Sequence, residues 1–280
     1  MKVTFFGTTM LLFDDGKDQI LFDANVTRPA LWKYVVGARV KTNKKAVDKL
    51  MKDYDFSRVK AIFVSHTHPD HAMDVPYIAN KTGAEVYGSS SAKNVCLGGK
   101  VKKGRIHEFR FGEPETVGDF SITVIPSKHS DPTPISNDLG QTIDKPLRQP
   151  ARTKAYKEGG SVDFIVRHGG RTILIRPSCN YIEGQLDDIQ AEVMFLGIGA
   201  MAKMSPEKVD TFYKETLDKV QPKKVIPLHW DDFFTPLDQP IRGMPRIADN
   251  TPANFDSLTR ACAARDMELI IQYPFITLDI

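Results

Sequence analysis

The chain has little of three things that would place it in a specialised class of protein. Its three cysteines (Cys96, Cys179 and Cys262) are odd in number and far apart, which argues against a disulfide framework. No stretch reaches the roughly 18 apolar residues that a membrane-spanning helix needs. The formal net charge is +3, too small to indicate a broad surface for nucleic acid or anionic lipid. We therefore expect a soluble cytoplasmic protein with neither a membrane nor a nucleic acid as partner.

What is present is a globular composition. Hydrophobic residues make up 41% of the 280 positions, enough to build a continuous core. Short apolar runs typical of strands alternate with amphipathic segments, and no shift in composition marks a linker. The sequence therefore predicts a single α/β domain over residues 1–280. Two elaborations stand out, a helical stretch at about 29–58 and a long loop at about 131–160 that is rich in proline and polar residues.

Three of the seven histidines lie within six residues. They follow an apolar run at 59–64 that is typical of a buried strand, and the segment reads His66-Thr67-His68-Pro69-Asp70-His71. His66 and His68 are two positions apart, so an extended segment can point both to one side. Asp70 and His71 follow in the turn and can face a second position. Imidazole and carboxylate ligands suit zinc, iron, manganese or cobalt, so the segment predicts a metal site.

This segment resembles the H-x-H-x-D-H motif of the metallo-β-lactamase fold. The resemblance implies a four-layer αβ/βα sandwich with a metal site at one edge of two sheets. It also implies later ligands at strand ends, where His129 and His229 each follow an apolar run. The branch that includes ascorbate-6-phosphate lactonase is the most similar, and the likeness extends over most of the chain.

The resemblance also implies a role for each candidate ligand. The first metal would be bound by His66, His68 and His129, and the second by Asp70, His71 and His229. With only one metal, Asp70 would act instead as a general base or orient the nucleophilic water. Asp23 resembles an early strand-end aspartate of the family that orients a ligating loop. One or two divalent ions are expected, zinc first, with manganese or iron as alternatives.

One position departs from the family pattern. The family usually has a bridging aspartate after a strand of its second half, and that position falls on Ser178, beside Cys179. Less negative charge then opposes the repulsion between two cations, which predicts a weak or absent second metal. The alternative is that the Cys179 thiolate or a hydroxide takes the bridging place. A buried, inert Cys179 is equally compatible with the sequence.

The predicted function is that of a metal-dependent hydrolase acting on a small-molecule lactone, ester or phosphoester. Lys128 and Arg176 adjoin motif residues and are candidates for binding an anionic group of the substrate, against the alternative of solvated surface charges. Tyr181 and Trp230 are candidates for an apolar wall, against the alternative of core packing.

Two alternative functions stay open at this point. A metal-stabilised protein that binds or senses a ligand without catalysis would explain the missing bridging aspartate. A nuclease of the same fold would need a basic face, and the lysine pairs are too dispersed to form one. Association into a homo-oligomer is common in the fold, although the sequence indicates no contact surface.

Overall fold

The described residues, 1–134 and 136–280, form sixteen β-strands and seven α-helices in the computed structural model. The strands are β1 (Lys2–Phe5), β2 (Leu11–Asp14), β3 (Gln19–Phe22), β4 (Arg39–Val40), β5 (Val59–Phe63), β6 (Glu85–Gly88), β7 (Ile106–Glu108), β8 (Pro114–Val117), β9 (Phe120–Pro126), β10 (Ala151–Arg152), β11 (Val162–His168), β12 (Arg171–Arg176), β13 (Val193–Gly197), β14 (Lys224–Leu228), β15 (Glu268–Leu269) and β16 (Thr277–Asp279). The helices are α1 (Leu31–Val35), α2 (Lys44–Asp53), α3 (Pro69–Ala72), α4 (Val75–Thr82), α5 (Ser90–Gly98), α6 (Pro206–Tyr213) and α7 (Thr251–Ala263).

Two seven-stranded sheets contain most of these strands. The order is β16-β1-β2-β3-β5-β6-β7 in the first sheet and β15-β14-β13-β12-β11-β9-β8 in the second. The strands from β3 to β7 in the first sheet run parallel, and so do β12 to β15 in the second. β9 is separated from β12 by the antiparallel β11, so it points the same way as β12. The carboxyl ends of these strands therefore meet at one edge of each sheet, where open α/β sheets place their ligands.

Apolar side chains join the layers on both faces of the sheets. Phe22 of β3 packs against Phe164 of β11 with ring centroids 5.0 Å apart, which brings the two sheets face to face. The opposite face of the first sheet packs against α2, α4 and α5, while α6 and α7 cover the second sheet. The order is thus helices, sheet, sheet, helices. The predicted four-layer αβ/βα sandwich is confirmed.

Two helix ends predicted from the sequence, the start of α6 and the end of α4, are found in the structure. Ser205 caps α6 by accepting a hydrogen bond from the Lys208 backbone N–H, and Pro206 occupies the first helical position, as the sequence predicts. Gly83 ends α4 with φ at +80°, a conformation that glycine adopts without a steric penalty. None of the helices in the described part of the chain combines the length and apolarity needed to cross a bilayer.

The helical stretch predicted at about 29–58 is interrupted. Between α1 and α2 the chain forms β4, which pairs with β10 from the long loop: Val40 lies opposite Ala151, and Arg39 opposite Arg152. The Thr153 backbone N–H also donates to the Ala38 carbonyl over 2.9 Å. The two elaborations are therefore joined to each other, an association between distant segments that helical periodicity alone cannot reveal. Sequence reasoning also missed α5 and β16.

A buried ion pair links β11 to β12 and corrects one prediction. Arg176, 2% exposed, donates from Nε to Asp163 Oδ2 over 2.8 Å. A second guanidinium nitrogen donates to the Asn180 carbonyl over 3.0 Å and holds the turn after β12. Arg176 is therefore placed in the core, beneath the sheet edge, rather than where it could bind substrate.

Removing the carboxylate of this pair should destabilise the protein strongly. Asp163→Ala leaves the buried Arg176 charge without its partner, which typically costs about 3–5 kcal/mol of unfolding free energy. The exposed pair of Arg260 and Asp256 provides a matched control, since Asp256→Ala should cost less than about 1 kcal/mol. Urea denaturation followed by circular dichroism measures both. Equal losses in the two variants would contradict a structural role for the buried pair.

Candidate metal centre

The histidine-rich segment leaves the first sheet at the end of β5. Ser65 and His66 follow the strand, His68 stands immediately before α3, and Pro69 opens that helix. This short helix turns the chain so that Asp70 and His71 face back towards the sheet edge, both of them buried. Two sets of side chains, which we call the first and second triads, result from this turn.

The first triad consists of His66, His68 and His129. One ring nitrogen from each lies within 4.8 Å of the other two. His129 belongs to the loop after β9, and its ring centroid is 4.8 Å from those of both other rings. Three imidazoles converging on one point form a typical set of ligands for a divalent transition metal.

The second triad consists of Asp70, His71 and His229. Asp70 Oδ2 lies 3.2 Å from His71 Nε2 and 3.4 Å from His229 Nε2. The two triads are adjacent, since the ring centroids of His66 and His71 are 3.8 Å apart. The structure thus brings together all six side chains that the sequence nominated as ligands.

Each of four histidines has one ring nitrogen occupied by a protein group. Nδ1 of His66 contacts Ser65 Oγ at 3.2 Å, Nδ1 of His71 contacts Asp23 Oδ2 at 2.8 Å, and Nδ1 of His129 contacts the Ser130 carbonyl at 2.9 Å. In His68 the other ring nitrogen makes the contact, because its Nε2 lies 3.0 Å from Asp138 Oδ1. These contacts leave Nε2 as the available nitrogen of His66, His71 and His129, and Nδ1 as that of His68.

A divalent cation fits this arrangement because two buried ring nitrogens make no hydrogen bond. Nε2 of His66 has no partner, and Nε2 of His71 lies 3.2 Å from Asp70 Oδ2 without forming a hydrogen bond to it. Burying such a group without a partner is costly, and a cation bound between the rings would satisfy both nitrogens. The donors are imidazole nitrogen and carboxylate oxygen, a set that suits zinc and its neighbours.

Burial and neighbouring charges favour the ligating form at most of these positions. Burial and the adjacent histidines hold the pKa of His66 well below its ordinary value and lower the pKa of His129 to about 3, so both rings are neutral. Burial opposes ionisation of Asp70, but the charges of His71 and His229 hold its pKa well below the ordinary value. Although burial acts the other way, Asp70 and Asp23 raise the pKa of His71 to about 10, so a cation there must displace a proton.

The backbone around His229 is built to hold that ring in place. His229 itself has φ at +57°, and its backbone N–H donates to the Thr8 carbonyl over 2.7 Å. Thr8 in turn donates to Asp231, which forms a buried ion pair with Arg28 at 2.8 Å. A side chain on Gly199 would lie 2.8 Å from the His229 carbonyl oxygen, so only glycine fits there.

Asp138 is a contact of the metal centre that sequence reasoning missed. It lies in the long loop, which is built around the buried carboxylate of Glu158: Gly140 and Gly160 both donate their backbone N–H groups to Glu158 Oε2. The Glu158 carbonyl accepts from the Thr67 backbone N–H over 2.9 Å. The loop is thus attached to the histidine segment twice, at Thr67 and at His68. No spacing rule connects position 138 with position 68, so only the fold reveals the contact.

Ser178 and Cys179 follow β12 at the edge of the site. Burial raises the pKa of the Cys179 thiol far above neutrality, so the thiol stays protonated unless a cation binds to it. Its backbone N–H donates to Ser130 Oγ over 3.1 Å, which ties the turn to the His129 loop. Among the described residues, the two triads contain one carboxylate, that of Asp70, and neither includes a cysteine.

A cavity of about 480 Å³ opens above both triads. Four of the six candidate ligands line it, and Ser178 lies on its wall.

The residues predicted to contact substrate do not line this cavity. Lys128 and Tyr181 line a separate groove, and Trp230 is buried against Phe255 and Tyr273 with ring centroids 5.5 and 5.3 Å away. Charge and aromaticity identified these residues in the sequence, but the direction of each side chain depends on the strand that carries it.

The comparisons with known proteins agree with this geometry. Residues 18–230 match the family described as the beta-lactamase superfamily domain. The chain belongs to the metallo-β-lactamase superfamily. It is 26% identical over 258 residues to a protein of Heliobacterium modesticaldum named UPF0173 metal-dependent hydrolase, with 88% of this chain and 89% of that protein covered.

Two further similarities also extend over most of the chain. A Carboxydothermus hydrogenoformans protein with the same name is 23% identical over 236 residues, covering 82% of this chain and 85% of that protein. The solved structure of Igni18, a metallo hydrolase of Ignicoccus hospitalis, matches with a TM-score of 0.62 at 16% identity and covers 100% of this chain and 98% of its own. The branch nearest ascorbate-6-phosphate lactonase stays a prediction within the superfamily.

Removing the Asp138 carboxylate should weaken metal binding. Asp138→Ala frees Nε2 of His68 and lets the ring change orientation, and loss of such an orienting partner costs about 10- to 100-fold in metal affinity. Competition with a chromophoric chelator measures zinc affinity directly. Asp144→Ala in the same loop is the control, because Asp144 is exposed and accepts its side-chain hydrogen bond from Thr142. Unchanged zinc affinity in Asp138→Ala would contradict this role.

Introducing a carboxylate at position 178 should strengthen binding of a second metal. Ser178 lines the cavity at the position that the sequence resemblance assigns to a bridging aspartate, so Ser178→Asp adds negative charge that offsets the repulsion between two cations. We expect the affinity for the second equivalent of zinc to rise at least about tenfold, the equivalent of about 1.4 kcal/mol. Ser178→Asn adds the same bulk without the charge and provides the comparison. A similar gain in both variants would show that charge is not the cause.

Proposed function

We propose that the protein is a metal-dependent hydrolase that acts on a small-molecule lactone, ester or phosphoester. The observation that carries the proposal is that two adjacent triads of metal-ligating side chains lie at the base of one cavity. A volume of about 480 Å³ falls within the roughly 300–1,000 Å³ of small-molecule sites. The names of the two bacterial relatives support the same reaction class.

The residues of the site have distinct tasks in this proposal. A divalent cation held by these ligands would lower the pKa of a bound water towards ~7 and polarise the bond under attack. With only one metal, held by the first triad, Asp70 would not be a ligand; ionised and placed between His71 and His229, it would accept a hydrogen bond from the attacking water and orient it. Asp23 fixes His71 through Nδ1, and Asp138 fixes His68 through Nε2. Zinc is the proposed metal because imidazole and carboxylate ligands suit it.

An anionic group on the substrate is also part of the proposal. Lys154, Lys157 and Lys203 line the cavity. Within the described part of the chain, none of the three approaches a carboxylate closely enough to form an ion pair. The acidic residues nearby are already engaged, Asp131 by Lys208 and Asp138 by His68. Unpaired lysines beside the cavity suit a carboxylate or phosphate on the substrate.

We also propose the cytoplasm as the location of the protein. Its three cysteines are buried and free, and the two sheets are joined by apolar packing without a disulfide between them. Free thiols of this kind are typical of a reducing compartment.

The test combines metal content with turnover. Purified protein is loaded with zinc, its metal per chain is measured by elemental analysis, and it is assayed on a lactone, a carboxylic ester and a phosphodiester. His68→Ala should lose at least one metal equivalent and most of the activity, because it removes one of three ligands of the first triad. His107→Ala is the matched control, since His107 pairs with Glu85 away from the site.

Three results would overturn the proposal. Turnover that survives in His68→Ala after the metal is gone would remove the catalytic assignment. Metal bound without turnover on any substrate would favour a metal-stabilised binding or sensing protein. Turnover restricted to nucleic-acid substrates would favour a nuclease.

A further inference from the structure

One wall of the cavity is built from apolar side chains. They come from two segments far apart in sequence, α1 and the segment 233–248 that follows β14. The large apolar residues that these two segments contribute to the cavity are Leu31, Tyr34, Val35, Phe233, Phe234, Met244 and Ile247. Both segments begin close to the second triad. His229 precedes Phe233 by four positions, and α1 follows Arg28, whose ion pair with Asp231 supports the backbone around His229.

The aromatic rings of this wall form a continuous row that starts at a metal-ligand candidate. The ring centroid of Phe233 is 5.1 Å from that of His229 in an edge-to-face arrangement. Phe233 is 4.3 Å from Phe234, and Phe234 is 5.1 Å from Tyr34 on α1. An apolar group lying along this row would therefore have its other end next to the second triad.

The mouth of the cavity is apolar where this wall reaches solvent. Val35 is 59% exposed and Ile247 is 87% exposed, and both line the cavity. Apolar side chains left in water at the entrance to a cavity indicate a ligand whose apolar part covers them. The lysines of the cavity belong to other segments, at positions 154, 157 and 203, so the wall itself carries no cation among its described residues.

We propose that the substrate is a carboxylic ester or lactone whose apolar acyl chain packs along Tyr34, Phe234 and Phe233, with its carbonyl at the triads. This inference rests on the proposed function and narrows it to acyl transfer to water. Water adds to the acyl carbon, the bond from that carbon to the alkoxy oxygen breaks, and the proton of the water passes to the departing oxygen. An ester gives a carboxylic acid and an alcohol, a lactone gives a single hydroxy acid, and neither reaction needs an oxidant or a reductant.

The first experiment is a chain-length series. The zinc-loaded protein is assayed on p-nitrophenyl esters from acetate to decanoate, with bis-(p-nitrophenyl) phosphate in parallel. Each methylene buried on the wall contributes about 0.8 kcal/mol, equivalent to about a fourfold rise in kcat/KM until the wall is filled. From acetate to hexanoate, which adds four methylenes, the expected rise is therefore on the order of 200-fold if all four are buried.

Variants of the wall test whether these residues cause the preference. Ile247→Ser, at an exposed position with little effect expected on folding, should weaken the preference for longer chains. Phe234→Ala should weaken it more, because Phe234 is buried in the middle of the row. Phe111→Ala is the control, since Phe111 is 56% exposed and lies outside the cavity. It should keep the full dependence on chain length.

A binding measurement supplies a readout that does not depend on turnover. Calorimetric titration with decanoate should give a dissociation constant that rises at least about fivefold in Ile247→Ser and stays unchanged in Phe111→Ala. Metal content, measured in every variant, should equal that of the parent protein.

The outcomes separate this inference from the proposed function. Ester hydrolysis with no dependence on chain length, or the same dependence in Ile247→Ser and the parent, overturns the inference and leaves the hydrolase intact. Turnover of the phosphodiester without turnover of any carboxylic ester also overturns the inference and leaves the proposed hydrolase function intact. Zinc bound without turnover of any substrate overturns both, even where decanoate binds.

Discussion

At the end of β3 a single buried carboxylate joins three parts of the site. Asp23 accepts hydrogen bonds from the Ser65 backbone N–H and Ser65 Oγ, both at 2.7 Å, and from Thr9 Oγ1, and it contacts Nδ1 of His71. Because a fully buried carboxylate is stable only when its oxygens are satisfied, these partners have little freedom to move. The loop after β5, and with it His66 and His71, is thereby held at the carboxyl end of the first sheet. The convergence of the ligands depends on this one group.

The two triads differ in the charge they offer a cation. Ligands of the first triad are three imidazoles, whereas the second includes the ionised Asp70. A carboxylate shared between them would draw two cations together, and position 178 carries a hydroxyl instead. The arrangement therefore favours unequal affinities at the two positions. Asp70, the one carboxylate of the two triads, therefore supplies the negative charge that opposes the charge of a bound cation.

The sequence was most informative where ligands follow strands and least informative where a contact joins distant loops. His66 to His71 are contiguous, and His129 and His229 each end an apolar run, so the resemblance to the family motif could be carried over to them and predicts where they meet. Asp138 and Glu158 lie in a loop with no periodicity, and their partners in the histidine segment, His68 and Thr67, are more than 60 positions away. Arg176 and Trp230 adjoin motif residues, but the pleat of each strand and the turn beyond it decide which side chains face the cavity. Such directions depend on packing that no local pattern encodes.

The small sheet formed by β4 and β10 has a consequence for how the cavity can open. It links the segment that carries α1 to the loop that carries Asp138, through the pairs Val40–Ala151 and Arg39–Arg152. Helix α1, which lines the cavity, and the loop that positions His68 through Asp138 are therefore joined by this small sheet. If the sheet opened locally, the apolar wall and the orientation of His68 would be lost together. A change of sequence that removed this pairing would therefore affect the shape of the cavity and the support of His68 together, whereas a change confined to one elaboration would affect only one of them.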